Sequence, residues 1–534
     1  MSKALKNYNT HVTAQTVQAD PAQVANNAGG YTFEVTPESR LERFLILGTD
    51  GGTYYVSESK LTEENASFLK SLIAKDEKFV RDTMVDVAVN NRAYKVSPTI
   101  FTAAMLHTYG VDKIALKEAL PKILRTSTHL FEYAQYIKNL GGWGRSKRAA
   151  VKDWYESKSD DSLGLQIVKY RQRNGWTHRD LLRLSHAQPS AALAEFALGK
   201  DVSDVAALPD VVKGYMKMSK ATSVKEVLAI LSDYPSLPWE TIPTEFHKDA
   251  AVWKTLFRNG SLRGTALLRN VVRLARLDAF TDLDFAADYA EAIRNPDNVK
   301  ASRLHPINYL NAAVVYSEGQ INRDGGYSYS FSPSRNKNWT TESVIHSAIE
   351  DAFMESFTTI TPANKRTMLA LDISGSMGQA ANGLDLSCAQ VAGAMAMTVL
   401  RTEPKALVRG FSTSLIDLNL SAKDSLSTIM RKISNKNFGG TDCSLPMQWA
   451  EKEGIALDTF AVFTDNETYA GRVHPHQALA SYRKSTGIPA RQAVFGVSAT
   501  NFTIADPKDK GTMDFVGFDA SAPAVFADFS AGRL

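Results

Sequence analysis

The sequence predicts a multidomain protein with a flexible arm over residues 1–37, an all-α region of serial helices over 38–360 and a doubly wound α/β domain over 361–534. Three observations predict this. The 534 residues exceed what one core organises. From Leu41 to about Asn259, short segments with helical apolar spacing follow one another, and β-branched alternation is scarce. After Thr361 the pattern changes to strand alternating with helix, the order of a sheet covered on both faces.

The arm is polar, rich in Gln, Asn, Ala and Thr, and has no apolar core of signal-peptide length. Helices are expected over 61–73, 98–109, 113–124, 130–140, 145–155, 163–170 and 179–184, stacked in pairs as an α-solenoid without a clean sequence period. The stretch Gly48-Thr-Asp-Gly-Gly-Thr-Tyr-Tyr55 reads as a turn rather than a phosphate cradle, because no Lys follows and no strand leads into a helix. Residues 317–339, rich in Gly, Ser, Asn, Arg and Tyr, read as a long exposed loop, and a helix over 341–357 leads into the second domain. There, strands are expected at 367–371, 406–411, 459–463 and 492–497, with helices at 386–401, 425–432, 444–453, 476–484 and 520–529.

Two cysteines, Cys388 and Cys443, cannot make a disulfide framework and suit reduced thiols in a cytoplasmic protein. No apolar run approaches the roughly 20 residues of a membrane span. The net charge of +4 conceals local concentration. Residues 121–190 carry 13 Lys/Arg against 6 Asp/Glu, and residues 251–280 carry 6 against 1. Such concentration is what an anion-binding surface requires.

Two stretches carry candidate chemistry. The run Met368-Leu-Ala-Leu-Asp-Ile-Ser-Gly-Ser-Met377 is an apolar strand that ends in oxygen ligands, with Asp372, Ser374 and Ser376 at alternate positions and Gly375 easing the turn. Taken alone, it is equally a strand-to-helix turn with a serine cap. Thr441, on a glycine-freed loop, and Asp465, at the end of a buried strand, complete five candidate oxygen ligands for Mg2+ or Mn2+, with one octahedral position open. A hydrolase using Asp372 or Asp465 as general base competes with this reading, but it needs a second acid or base. His474 and His476 sit in a His-Pro-His turn with no nucleophile suggested, so the expectation is a protein that is not an enzyme.

The other stretch, Val168 to His186, has the composition of a nucleic-acid surface. Lys169 and Arg173 are expected on one helical face, Asn174-Gly175 as a helix C-cap, and Thr177 as the N-cap of a second helix. The pair would present Lys169, Arg171, Arg173, His178, Arg179, Arg183 and His186, with Trp176 at the turn, for phosphate pairing and base stacking. A solvated basic face with Trp176 and His186 in the core is the alternative.

The D-x-S-x-S run, the loop threonine and the strand-end aspartate resemble the metal-ion-dependent adhesion site (MIDAS) of von Willebrand factor A domains. Gly439-Gly-Thr-Asp-Cys-Ser-Leu-Pro446, Phe463-Thr-Asp-Asn-Glu-Thr468, His474-Pro475 and Phe502-Thr-Ile-Ala-Asp-Pro507 resemble the A domain of the Ro ribonucleoprotein (TROVE) family. The basic stretch resembles that family too, as do Gly51-Gly-Thr-Tyr-Tyr55, Thr126-Ser-Thr-His-Leu-Phe131, Gly142-Trp-Gly-Arg145, Asp153-Trp-Tyr155, Thr265-Ala-Leu-Leu-Arg-Asn270 and Arg303-Leu-His-Pro306. The resemblance covers about residues 38–534, and the cysteine usage with no evident targeting or basic import signal fits a bacterial or phage member. It implies a ring of HEAT-like helical repeats closed by the A domain. It also implies Y RNA on the outer surface, and passage of single-stranded ends of misfolded noncoding RNAs through the central hole in noncoding RNA quality control.

On that resemblance, Lys169, Arg173 and His186 match outer-surface Y RNA positions, accompanied by Arg171, Arg179 and Arg183. Arg145, Lys147 and Arg148 are candidates on the preceding helix, while Arg258, Arg263, Arg269, Arg273 and Arg276 are expected either to contact RNA nearer the channel or to be solvated helix faces. Implied partners are an exoribonuclease, polynucleotide phosphorylase, tethered through Y RNA, and an acidic protein ligand at the metal site. The protein itself is expected to be a monomer. The departures from the family pattern are Gly375 between the ligand serines and the Gly/Ser/Tyr loop at 321–333.

Overall fold

The structure, a computed structural model, describes residues 12–49, 52–53, 55–318, 339–357, 361–381, 386–434, 439–517 and 519–534. The expected loop at 321–333 lies outside them, as does part of the Gly48–Tyr55 stretch. Of that stretch, Gly52 has φ +66° and its N–H donates to Thr49 O at 3.0 Å, which makes a turn. The described residues fall into two compact units, one comprising 12–65, 357 and 361–534, the other 66–318 and 339–356.

In the first unit, Thr367–Asp372 and Thr459–Thr464 are buried at every position, the pattern of strands covered on both faces. They form the centre of a six-stranded sheet ordered 512–516, 491–496, 459–464, 367–372, 406–411, 415–416. Four junctions are parallel, and the last, to Leu415–Ile416, is antiparallel. Leu371 pairs with Phe463, so Asp372 and Thr464 leave the sheet side by side at its C-terminal edge.

Side chains alternate across this sheet. Met368 and Phe460 face Met447, Leu479 and Tyr482 of the helices Leu445–Lys452 and Pro475–Thr486. On the opposite face, Phe463 stacks on Phe495 at 4.3 Å, and Phe495 meets Phe526 of the helix Ala522–Ala531 at 5.7 Å. The helix Cys388–Thr402 begins at Ser387 with a capping box closed by Gln390 and packs on the strands 367–372 and 406–411. Helices thus cover both faces, as the alternating pattern predicts.

The edges depart from the sequence reading. The strand Thr512–Val516 carries Asp514, a poor strand former, and becomes an edge because Arg43 of the helix Pro37–Leu47 pairs with it at 2.5 Å. Arg43 is fully buried, and its guanidinium also donates to the carbonyls of Thr500 and Phe502.

The expected N-terminal arm is folded over its described part, which corrects the flexible-arm expectation. Gln23–Ala25 and Tyr31–Glu34 are antiparallel strands, and the latter also pairs with Phe502–Thr503. Gln15, fully buried, donates to Asp442 Oδ1 and Val473 O at 2.8 Å each and accepts the Thr468 hydroxyl at 2.6 Å. A polar composition reads as disorder, but here the polar side chains satisfy buried backbone and carboxylate groups.

The second unit is helical, apart from one two-residue hairpin, among the described residues. Its helices include Ser97–Tyr109, Lys113–Ile123, Ser127–Asn139, Arg145–Glu156, Asp160–Lys169 and His178–Ser185, near the predicted ranges. They continue through Ala191–Leu198, Asp210–Met218, Val224–Asp233, Ala250–Arg258 and Thr265–Arg276 to Ser343–Glu355. Helices in this unit pack chiefly on neighbours close in sequence, which is the organisation of stacked helical repeats.

Candidate metal centre and nucleic-acid interface

At the C-terminal sheet edge, Asp372, Ser374, Ser376, Thr441 and Asp465 are each buried. The Ser374 N–H donates to Asp372 Oδ1 at 2.9 Å, and the hydroxyls of Ser374 and Ser376 lie 3.2 Å apart at the start of the turn Gly375–Gly378. The Thr464 hydroxyl donates to Asp372 Oδ2 at 2.6 Å, an orienting contact that sequence reasoning missed although Thr464 adjoins Asp465. The Gly375 N–H donates to Gly439 O at 3.3 Å, tying the serine turn to the threonine loop. Thr441 O accepts the N–H groups of Tyr469 and Ala470 at 3.0 Å each.

Electrostatically the edge is short of positive charge. Burial and the neighbouring Asp465 push Asp372 up to about 7, and burial raises Asp465 as well. Glu467 is pushed up to about 8 by burial and then by Asp465, while Asn27 Nδ2 and the Ala28 N–H donate to its two oxygens. Among the described residues, no Lys or Arg forms an ion pair with any of the three. Buried carboxylates of this kind need a cation or protons.

The set fits a hard divalent ion held by two carboxylates and three hydroxyls. It is not a cluster of charged ligands, since no group of three or more His, Cys, Asp or Glu side chains is arranged to hold a metal among the described residues. His474 uses both ring nitrogens on the N-terminal segment, toward Gln23 at 3.1 Å and Val17 O at 2.8 Å, and His476 packs edge-on against Phe33.

In the helical unit, Asn174-Gly175 is a hairpin turn rather than a helix cap. The helix Asp160–Lys169 ends before it, and Gln172–Arg173 pairs with Trp176–Thr177, Arg173 opposite Trp176. Asn174 and Gly175 both have positive φ, 52° and 75°, as a type I′ turn requires. Lys169 and Arg173 therefore do not share a helical face, which corrects the expectation. The flanking residues were too few for a strand signal, whereas the Asn-Gly pair itself was the signal available.

Thr177 is the expected N-cap, in a reciprocal box with Asp180. His178 is not presented to solvent. It is buried, with the Tyr155 hydroxyl 2.9 Å from Nδ1 and Tyr170 O 3.1 Å from Nε2. As the first residue after the cap, it points inward because Leu181, Leu182 and Ser185 define the buried face.

Arg171, Arg173, Arg179, Arg183 and His186 are exposed, the last as a left-handed C-cap. Trp176 is half-buried, meeting Trp143 at 5.7 Å and donating to Gln135 at 3.1 Å. Trp143 in turn precedes the helix on which Arg145 and Arg148 are exposed. Lys147 is buried and donates to Gly142 O at 3.2 Å, so it leaves the candidate surface. None of Arg145, Arg148, Arg171, Arg173, Arg179 and Arg183 pairs with a carboxylate among the described residues. Lys169 lies 3.8 Å from Glu240. In the other basic segment, Arg258, Arg263, Arg269 and Arg276 are exposed, while Arg273 is half-buried over the rings of Trp239 and Trp253.

Fold and sites define the class: a stack of helical repeats bearing cations unpaired among the described residues, joined in one chain to a doubly wound α/β domain with buried carboxylates and hydroxyls at its strand edge. The TROVE domain family matches residues 24–228 and 234–326, and the Ro60 vWA domain family matches 366–530. A Deinococcus radiodurans protein named RNA-binding protein RO60 is 37% identical over 546 residues, covering all of both chains. A Caenorhabditis elegans protein of the same name is 30% identical over 607 residues, covering 98% of this chain and 92% of its own. The crystal structure of the Deinococcus radiodurans RO (RSR) protein superposes with a TM-score of 0.68 at 36% identity, covering 93% of this chain and all of that one. The chain belongs to the Ro60 family of TROVE and vWA domain proteins.

Proposed function

We propose that this protein binds RNA: a structured Y RNA on the helical surface around Lys169, Arg173 and His186, and single-stranded ends of misfolded noncoding RNAs through a central ring of helical repeats. On this reading it acts in cytoplasmic noncoding RNA quality control, without catalysis of its own, and an exoribonuclease such as polynucleotide phosphorylase is tethered through the Y RNA. The observation that supports it best is the set of exposed guanidiniums at Arg171, Arg173, Arg179 and Arg183, with no carboxylate partner among the described residues. Cations already paired would have to exchange one anion for another, whereas these meet a phosphate at little cost. The exposed ring of His186 offers a face to unpaired bases.

Binding driven by counterion release weakens by about 0.7 to 0.9 log units per phosphate contact for each tenfold rise in salt. Titration of a structured RNA at several salt concentrations should show such a slope, and Lys169→Ala with Arg173→Ala should lower it by roughly 1.5. A flat salt response, or an unchanged slope in the double variant, refutes the assignment.

A second reading coexists with the first and is favoured by the buried, cation-poor edge at Asp372 and Asp465. Asp372, Ser374, Ser376, Thr441 and Asp465 would hold Mg2+, or Mn2+, directly or through water. The ion would neutralise the two carboxylates and offer an open position to an acidic residue of a partner protein. The protein chain's part is to fix the ligands: Thr464 orients Asp372, and the Gly375 to Gly439 contact sets the threonine loop.

A further inference from the structure

The two basic segments, about one hundred residues apart in sequence, come together at the short 3-10 turn Trp239–Thr241. The helix Asp160–Lys169 packs on that turn and brings Lys169 Nζ to 3.8 Å from Glu240 Oε1. Both side chains are more than two-thirds covered, at 29% and 27% exposure. From the helix Thr265–Arg276, Arg273 lays its guanidinium 5.4 Å from the centre of the Trp239 ring, beside Glu240, and 4.8 Å from that of Trp253. Arg269 stands one helical turn before Arg273, on the same face, and is exposed. Beyond Lys169, Arg171 sits 5.5 Å above the Tyr215 ring. Lys169, Arg269 and Arg273 thus stand around Glu240 and the Trp239 ring, with Arg171 and Tyr215 beyond Lys169.

Glu240 is not a strong structural partner for either cation. At 3.8 Å the ammonium of Lys169 is beyond hydrogen-bond length, and its three protons remain available to another acceptor. Burial raises the Glu240 pKa, while Lys169 and Arg269 only partly oppose that shift. A carboxylate so placed keeps two cations from repelling each other, yet it also repels any phosphate that approaches them.

We propose that Lys169 and Arg269 form one phosphate subsite of the RNA surface, with Glu240 as its built-in counter-ion, which sets the affinity by opposing the incoming phosphate. The two basic segments are then one interface for an RNA backbone. This inference rests on the RNA-binding reading above.

The test uses the full chain and a hairpin RNA with a single-stranded tail, read by fluorescence anisotropy near physiological salt. Glu240→Gln keeps the shape and removes the charge, so binding should tighten by up to about fivefold, the upper range of a partly exposed charge pair. Arg269→Ala should weaken binding, and the gain from Glu240→Gln should shrink when Lys169→Ala or Arg269→Ala is added. Thermal melts of each variant confirm folding, and Arg269, being exposed, carries the test even if Glu240→Gln melts early. With Lys169→Ala and Arg173→Ala impairing binding, wild-type affinity in Arg269→Ala or unimproved affinity in folded Glu240→Gln overturns this inference alone. Failure of the wild-type protein to bind RNA overturns both it and the reading beneath it.

Discussion

Acidification separates His178 as a core group from His178 as a surface cation. The ring is 3% exposed, fixed by Tyr155 and Tyr170, and burial lowers its pKa to about 4. In the unfolded chain a histidine titrates near 6.5. The unfolded state therefore gains a proton that the folded state refuses, and stability that is fully present above about 6.5 is lost as pH falls toward 4. One pKa unit corresponds to about 1.4 kcal/mol, so His178 withdraws roughly 3 kcal/mol over that window. His107 and His129 in the same unit are also lowered to about 4, in each case chiefly by burial, and steepen the same window. Urea unfolding of the full chain, followed by tryptophan fluorescence between pH 7 and pH 5, should show stability falling with acid. His178→Gln should remove up to about one proton, or about 1.4 kcal/mol per pH unit, from that slope near pH 5 and less toward pH 7, while leaving RNA affinity at neutral pH unchanged. An unaltered slope refutes the buried neutral ring. A loss of RNA affinity in a folded His178→Gln would restore it to the binding surface.

Asp372→Asn should raise the melting temperature without metal, because it removes one buried carboxylate beside another, and on the proposed metal reading Mg2+ should stabilise the wild type but not this variant, as differential scanning fluorimetry would show. Gly175→Ala places a side chain at φ +75°, a conformation that costs an L residue about 1 to 2 kcal/mol. The hairpin should loosen and RNA affinity should fall severalfold through Arg173, whereas Asn174→Gly, which suits the same turn, should bind within about twofold of wild type.

The central elements were legible because burial dictates their pattern. Thr367–Asp372 and Thr459–Thr464 are continuous apolar runs ended by polar residues, and the helices between them carry capping and periodicity that act within a few residues. The edges were not legible for the complementary reason. Thr512–Val516 is a strand because Arg43, almost five hundred residues earlier, supplies the charge that Asp514 needs. The N-terminal strands exist because Gln15, Gln23, Asn26 and Asn27 find partners in residues 442–474. A polar residue announces a hydrogen bond but not where its partner lies.

The same division runs through the sites. Alternation named Asp372, Ser374 and Ser376 at the strand edge, and strand adjacency, with Leu371 opposite Phe463, explains how Asp372 and Asp465 come to share a buried field. Composition likewise named the basic stretch, but composition does not orient side chains. His178 and Lys147 counted as surface charge until the helix faces were set by Leu181 and Leu182 in one helix and Val151, Trp154 and Tyr155 in the other. Asn174-Gly175 bends the chain into a hairpin, so Arg173 projects from a strand and Lys169 is left to meet Glu240 across the unit. Charge summed along the sequence therefore locates a surface, while the partner each cation already has decides how much of that charge an RNA can use. Arg173, exposed and unpaired among the described residues, offers its charge in full; Lys169 offers it against a carboxylate.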